Sequence, residues 1–439
     1  MEKNICVCVT GAAGYIASWL VKKLLDKGYT VHATLRNLEN PSKVGLLKAL
    51  PHADTRLVLF GADIYKAEEF EPAIRGCQFV FHVATPLLHN THSTKYKDTT
   101  EAAIEGVKSI LGSCIRSKTV ERLIYTGSVV ATSPLKEDGS SFKDLIDESC
   151  WTPLHHSFSY SSFIDQEYIS SKTQSEKEVL SYCNMEEGGL EVVSLACALV
   201  GGDTLLSYQP TSVGVIISQL TGEEDHYRRL KLLQEMLGSV PLIHIDDVCE
   251  AHIFCMEQPS MAGRFLCACT YPTIAEMAKH FTNKYPEIQV AKRFSEGPET
   301  GIDCQSTKLR DMGFKYNYDF KRILDDSVEC SKRMAKGKKK KPQHLKAQEQ
   351  LSNRAQRKTA AEQRKPPCKT ELSTHSAAEI RKQPAAEKQK ERTKPNRAQQ
   401  TTAQTEPSSQ KQNTHQKQQR DAMNCLKEIR PDAAVTPIS

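Results

Sequence analysis

The chain has 439 residues and a formal net charge of +6, with 39% hydrophobic and 7% aromatic residues. That length leaves room for a large buried core and two or three domains, and no run approaches the ~18 apolar residues that a membrane-spanning helix needs. Residues 336–439 hold about 24 lysines and arginines against about 10 acids, so the remainder is mildly acidic, the balance of an ordinary globular protein, and without a spanning run or an apolar leader a soluble, cytoplasmic protein is expected.

Ile5–Val9 is a short β-branched run followed by Thr10-Gly11-Ala-Ala-Gly14-Tyr-Ile-Ala17. Ile16, Leu20 and Leu24 then recur at helical spacing, and Gly28 stands just past the last of them. Strand, glycine turn and helix within about 30 residues form the entry to a dinucleotide-binding βαβ unit. Gly11 permits the tight turn, Gly14 lets backbone N–H groups close on a pyrophosphate, and Ala17 keeps helix and strand close. Cys6/Cys8 and Cys267/Cys269 are CxC pairs among fifteen cysteines with no CxxC. They read as small buried hydrophobes of a reducing compartment, and no metal site is expected.

The second strand, Thr30–Leu35, ends in Arg36 rather than an acid. An acid there would bond the ribose 2′-hydroxyl, whereas arginine attracts a 2′-phosphate, so NADPH is expected, with Lys43 as a second cation. A third strand, Leu57–Phe60, leads to Asp63 near the adenine. The apolar run from Cys77 to Pro86 has the character of a parallel strand covered on both faces, and its end, Ala84-Thr85-Pro86, should lie beside the cofactor. His82 within it reads as a core histidine. Tyr96–Lys118 is expected to be a long helix and Arg122–Thr126 the next strand, ending in Gly127-Ser128.

Tyr168 and Lys172 are four apart, hence on one face of a helix. An ammonium there can lower the pKa of a phenol, which can then protonate a carbonyl oxygen. Tyr227 and Lys231 share the spacing, but Tyr227 sits in the charged segment His226-Tyr-Arg-Arg, which reads as solvated surface. The hydroxyl of Ser128, at a strand's C-terminal end, completes the first pair and not the second. A sixth strand is expected over Glu191–Leu199, and a mostly helical insertion, Leu206–Gly238, as a substrate lid. Leu242–Ile245 should be a strand running into an acid-capped helix; capping accounts for Asp246 near His244 and His252 better than a metal does. Arg264–Cys269 reads as a further strand, Thr273–Lys284 as a helix with Ile274, Met277 and Phe281 inward, and Leu309–Arg333 closes the globular part.

The fold expected is therefore α/β: a Rossmann-type doubly wound parallel sheet over residues 1–200, and a smaller substrate domain over 201–335 with segments returning to the sheet. Residues 336–439 form a low-complexity basic tail expected to be disordered. Its lysine run, Lys338–Lys341, could touch nucleic acid, but the tail has no aromatic on which a base could stack, so a solvated tail is expected.

With these motifs in order, residues 1 to about 334 resemble the dihydroflavonol reductase and anthocyanidin reductase group of extended short-chain dehydrogenases. The resemblance rests on Val9–Val21, His32–Arg36, Phe79–Pro86, Tyr168–Lys172 and His244–Val248. Within the group, Ser133–Glu137, Asp144–Pro153 and Ala262–Cys267 are most similar to plant HC-toxin reductases. The resemblance implies a plant NADPH-dependent carbonyl reductase acting on a small-molecule ketone, with Ser128, Tyr168 and Lys172 as catalytic triad. It implies a cofactor set of Gly11, Ala13, Gly14, Tyr15, Ile16, Arg36, Lys43, Asp63, Ile64, Val83, Ala84, Thr85, Leu195 and Cys197, besides Tyr168 and Lys172. Ser133 and Pro86 are expected toward substrate. Ser133 stands where dihydroflavonol enzymes carry Asn or Asp, and Ala196-Cys197 where the family has Pro-Thr. Two other readings are a nucleotide-sugar epimerase or dehydratase of the same fold, and a non-catalytic NADP-binding scaffold with a basic interaction tail.

Overall fold

Nine strands organise the chain in a computed structural model that describes residues 5–86, 95–184, 189–302 and 306–339. They are β1 (Cys6–Val9), β2 (Thr30–Leu35), β3 (Leu57–Gly61), β4 (Phe79–His82), β5 (Arg122–Ser128), β6 (Glu191–Cys197), β7 (Leu199–Gly201), β8 (Leu242–His244) and β9 (Gly263–Cys267). Seven form one parallel sheet in the order β3-β2-β1-β4-β5-β6-β9, and β7 pairs with β8. The order reverses between β1 and β4, so a crevice opens outside their carboxyl ends, as in doubly wound sheets generally. All described residues lie in one unit, Met1–Lys341; the rest of the chain, including residues 340–439 of the expected disordered tail, falls outside them.

Covalent pattern accounts for most of the elements. Val7, Val9, Val31, Ala33, Phe81 and Ile124 are fully buried or nearly so, the signature of strands covered on both faces. The first helix, Tyr15–Asp26, buries Ala17, Leu20, Val21, Leu24 and Leu25, and Gly28 follows its last turn with φ +89°. Thr99–Ser117 is shorter than the expected helix because Asp98 caps it, its side chain accepting from the Glu101 amide at 2.8 Å. Ile274, Met277 and Phe281 point inward on Ile274–Lys284, whose capping box joins Thr273 and Glu276.

The sixth strand departs from expectation. It stops at Cys197, the Ala198 amide bonds to the Cys267 carbonyl at 3.0 Å, and Leu199–Gly201 leaves for the small β7/β8 sheet. β9 likewise ends at Cys267, not Cys269. The last helix, Phe320–Lys339, runs past the expected tail boundary at residue 336.

The Leu206–Gly238 insertion is helical, but its charged face is docked rather than solvated. The helix Glu224–Leu237 places Arg228 Nη1 2.8 Å and Arg229 Nε 3.2 Å from the Asp165 carboxylate. Its Glu235 accepts from the amides of Ser159 and Tyr160. Tyr227 is buried, edge-on to Phe294 with ring centroids 4.8 Å apart, so hydrophobic packing removes it from solvent and from the crevice alike.

Candidate active site

The glycine turn shows why its sequence is what it is. Gly11 has φ +65°, and a Cβ there would lie 3.1 Å from the Cα and Cβ of Ala84. Turn and β4 end therefore meet at a distance only glycine allows, and with that backbone sign. Its amide donates to Thr34 Oγ1 at 3.1 Å, and the Gly14 amide closes on the Gly11 carbonyl at 2.9 Å. Gly14 is exposed and caps the first helix without a side-chain partner, leaving the helix N-terminus facing the crevice. The first-turn amides of a helix have no intrahelical partner and can hold an anion.

Thr10, which sequence reasoning passed over, ties the two strand ends together. Its Oγ1 accepts from the amides of Val83 and Ala84, both at 3.0 Å, and so its hydroxyl proton goes to His82 Nδ1, 3.0 Å away. His82 is thus a neutral acceptor in the core, as expected, and burial holds it near 3, with Lys172 adding to the effect. A threonine immediately before the first glycine was the available signal.

Arg36 and Asp63, expected at the adenosine end, sit at the neighbouring ends of β2 and β3, with Nε 3.7 Å from the carboxylate. The guanidinium is 70% exposed and free to meet a phosphate at the rim, while Asp63 also caps the next turn by accepting from the Tyr65 amide. Lys43 is exposed on the first turn of the helix Pro41–Lys48. Ala13 and Ile16 are half-buried in the turn, and Tyr15 points its hydroxyl at the Gly201 carbonyl, 3.3 Å away. Ile64 turns inward, filling the space above Gly106.

The three catalytic candidates converge. The helix Phe163–Ser181 is fixed at its start by a capping box between Ser162 and Asp165 and carries Tyr168 and Lys172 on one face. Ser128 ends β5, its Oγ accepting from the Val130 amide at 3.4 Å, and its hydroxyl lies near enough to the Tyr168 phenol to pull that phenol's pKa down. Lys172 is 4% exposed; Nζ donates to Thr85 Oγ1 at 2.8 Å and to the Thr126 carbonyl at 2.9 Å. Burial depresses this amine to about 8.

One expectation is corrected here. Tyr168 stands above, not below, the ordinary phenol range, because burial outweighs the opposing hydrogen bond from Ser128. The lysine does not act on the phenol directly in this arrangement; it is drawn to Thr85 and Thr126.

Two further site expectations change. Ser133 is completely buried: its hydroxyl donates to the Met236 carbonyl at 2.5 Å, its Oγ accepts from the Leu135 amide, and its own amide goes to Thr152. Every polar atom of that side chain is committed, so it does not face a substrate. Leu195 is fully buried within the sheet, in register with Thr126 and Phe265, so its side chain is not open to a ligand from solvent. Cys197 is in register with Ser128 on one side and Cys267 on the other, and its buried thiol donates to the Leu195 carbonyl at 3.3 Å. Pro86 is buried at the end of the β4 segment.

The helix bearing Tyr168 is anchored from beneath. Glu176, completely buried, pairs with Arg264 at 2.9 Å and accepts from Ser194 Oγ at 2.6 Å. Arg264 also donates to the carbonyls of Ala131, Glu148 and Cys150 and stacks 3.6 Å from the Trp151 ring centroid.

The residues present fit a dinucleotide: a glycine cradle that a Cβ would fill, an open helix N-terminus beside it and an exposed cation at the end of β2. Comparison with known proteins agrees. The sequence profile described as "NAD dependent epimerase/dehydratase family" matches residues 7–265. The chain is 40% identical over 327 residues to a putative anthocyanidin reductase of Ginkgo biloba, covering 74% of this chain and 94% of that one. It is 37% identical over 329 residues to dihydroflavonol 4-reductase of Callistephus chinensis, covering 74% and 86%. The solved structure of vestitone reductase from alfalfa superposes with a TM-score of 0.61 at 32% identity, over 75% of this chain and 99% of that one.

Proposed function

The chain belongs to the NAD dependent epimerase/dehydratase family as an NAD(P)-dependent oxidoreductase, and from that premise we propose that it reduces a ketone on a small molecule to a secondary alcohol with NADPH. The observation that carries this reading is the meeting of Ser128, Tyr168 and Lys172 at the carboxyl ends of β4 and β5, beside the glycine turn. The cofactor, when bound, supplies a hydride to the carbonyl carbon. Tyr168 gives its hydroxyl proton to the carbonyl oxygen, and Ser128 donates a hydrogen bond to the same oxygen. Lys172, fixed by Thr85 and Thr126, would hold the ribose hydroxyls. The raised phenol keeps its proton at neutral pH, the state a donor requires.

Arg36 supports NADPH over NADH, since its exposed guanidinium suits a 2′-phosphate. In this reading residues 1–200 carry cofactor and catalytic groups, 201–335 shape the substrate side, and the protein is cytoplasmic. Among the described residues no helix is long and apolar enough to cross a membrane. The names of the relatives support a flavonoid-type ketone or related small-molecule substrate. NADPH oxidation over dihydroflavonols, anthocyanidins and aliphatic ketones tests the proposal, which requires turnover with one class and its loss in Tyr168→Phe. The family's name also covers epimerases, which keep NAD through the cycle; identifying the dinucleotide released on denaturation separates the two readings.

A further inference from the structure

At the opposite end of the sheet from the crevice, three metal-ligand side chains come together from separate strands. Cys6 begins β1, His32 lies in β2, and Cys77 stands two residues before β4. Cys6 Sγ is 3.6 Å from Cys77 Sγ, Cys77 Sγ is 3.4 Å from His32 Nδ1, and all three donor atoms lie within 4.8 Å of one another. Cys77 is buried, while Cys6 and His32 are half-buried, so the cluster is reachable from solvent.

We propose that Cys6, His32 and Cys77 form a binding site for a thiophilic d10 cation of the zinc type, clasping β1, β2 and the start of β4. The spacing carries the proposal. Tetrahedral zinc, with Zn–S about 2.3 Å and Zn–N about 2.0–2.1 Å, separates two sulfur ligands by about 3.8 Å and sulfur from nitrogen by about 3.6 Å. The chain holds the corresponding atoms 3.6 and 3.4 Å apart without any rearrangement of backbone. A disulfide, by contrast, needs sulfur atoms about 2.05 Å apart. The ligand set is soft, two thiolates and an imidazole, which selects zinc over magnesium or calcium. Solvent completes the fourth position.

His32 Nδ1 is 2.8 Å from the Ala73 carbonyl, and Cys77 Sγ donates to that oxygen at 3.3 Å. Binding expels the Sγ protons of Cys6 and Cys77 to solvent, while the neutral His32 imidazole coordinates through Nδ1 and keeps its single proton on Nε2. The site lies away from Ser128, Tyr168 and Lys172 and supplies no step of the reduction. Its consequence is cohesion of the sheet's amino-terminal edge.

The test uses the full chain, reduced and freed of metal with a chelator, titrated with Co(II) and then Zn(II). A single equivalent of cobalt should give thiolate charge-transfer and tetrahedral d–d bands, bleached by zinc, with protons released on binding. Cys6→Ser and His32→Gln should each weaken binding at least about tenfold, and zinc should raise the thermal midpoint of the unaltered chain but not of the variants. Circular dichroism of the metal-free variants shows whether they are folded. Absence of cobalt bands, or bands of equal strength and affinity in both folded variants, overturns the proposal. Recovery of a Cys6–Cys77 disulfide that forms in the presence of zinc does so as well.

Discussion

Tyr168 illustrates how residue identity and environment divide the work of a site. The four-residue spacing to Lys172 fixes a shared helical face, yet the phenol's acidity is set by burial against a hydrogen bond from Ser128. Replacing the phenol by Phe removes the proton donor and little else; turnover should fall by about 10²–10⁴ while NADPH affinity, read by cofactor fluorescence, stays unchanged. Loss of the Ser128 hydroxyl in Ser128→Ala should cost about 10²–10³ in kcat, on the scale of a lost oxyanion donor. The glycine turn makes the complementary prediction. In Gly11→Val a side chain would be forced onto Ala84 from a positive-φ backbone, so dinucleotide binding should be abolished in equilibrium titration. Gly11, Ser128, Tyr168 and Lys172 were legible because backbone geometry and helical spacing constrain residue type directly. The occupation of Ser133 by the Met236 carbonyl was not, because a partner 103 residues away leaves no local trace.

The helix Phe163–Ser181 is held at three depths, and each depends on another element. Asp165 at its start takes Arg228 and Arg229 from the helix Glu224–Leu237, Lys172 reaches the ends of β4 and β5, and Glu176 meets Arg264 of β9. Gly127 makes the third contact possible, since a Cβ there would lie 3.1 Å from Glu176 Oε1 and 3.0 Å from the Leu195 carbonyl. Removing Glu176 as Ala strands a buried guanidinium; chemical denaturation should show a loss of about 3–5 kcal/mol. Helix and strand identities on the sheet were readable from period and β-branched runs. The break after Cys197 was not, because Leu199–Gly201 continues the same apolar pattern and only the competing partner β8 draws it away. The charged stretch His226–Arg229 misled for a related reason: its arginines pair across space, so charge density did not mean solvent.

For the molecule as a whole, burial of neutral histidines sets an acid limit. His82 and His252 are held near 3 and 4 by desolvation, and His252 is locked neutral between the Val248 carbonyl at 2.6 Å and Thr126 Oγ1 at 2.8 Å. Unfolding lets both take protons at their ordinary pKa of about 6.5. Their contribution is thus complete above that pH and is lost as pH falls toward the folded values. Between pH 6.5 and 5 each should remove about 1–2 kcal/mol, measurable as a falling urea midpoint. By itself the sequence determined the parallel sheet, the dinucleotide turn at Gly11 and Gly14, and the Tyr168–Lys172 pair, because strand burial, positive φ and helical spacing are local demands on residue type. Tertiary structure alone decided which hydroxyls and charges remain free for a ligand, the direction in which Tyr168 is shifted, and the gathering of Cys6, His32 and Cys77. Those outcomes depend on desolvation and on partners brought together by strand order, which neighbouring residues in the chain do not encode.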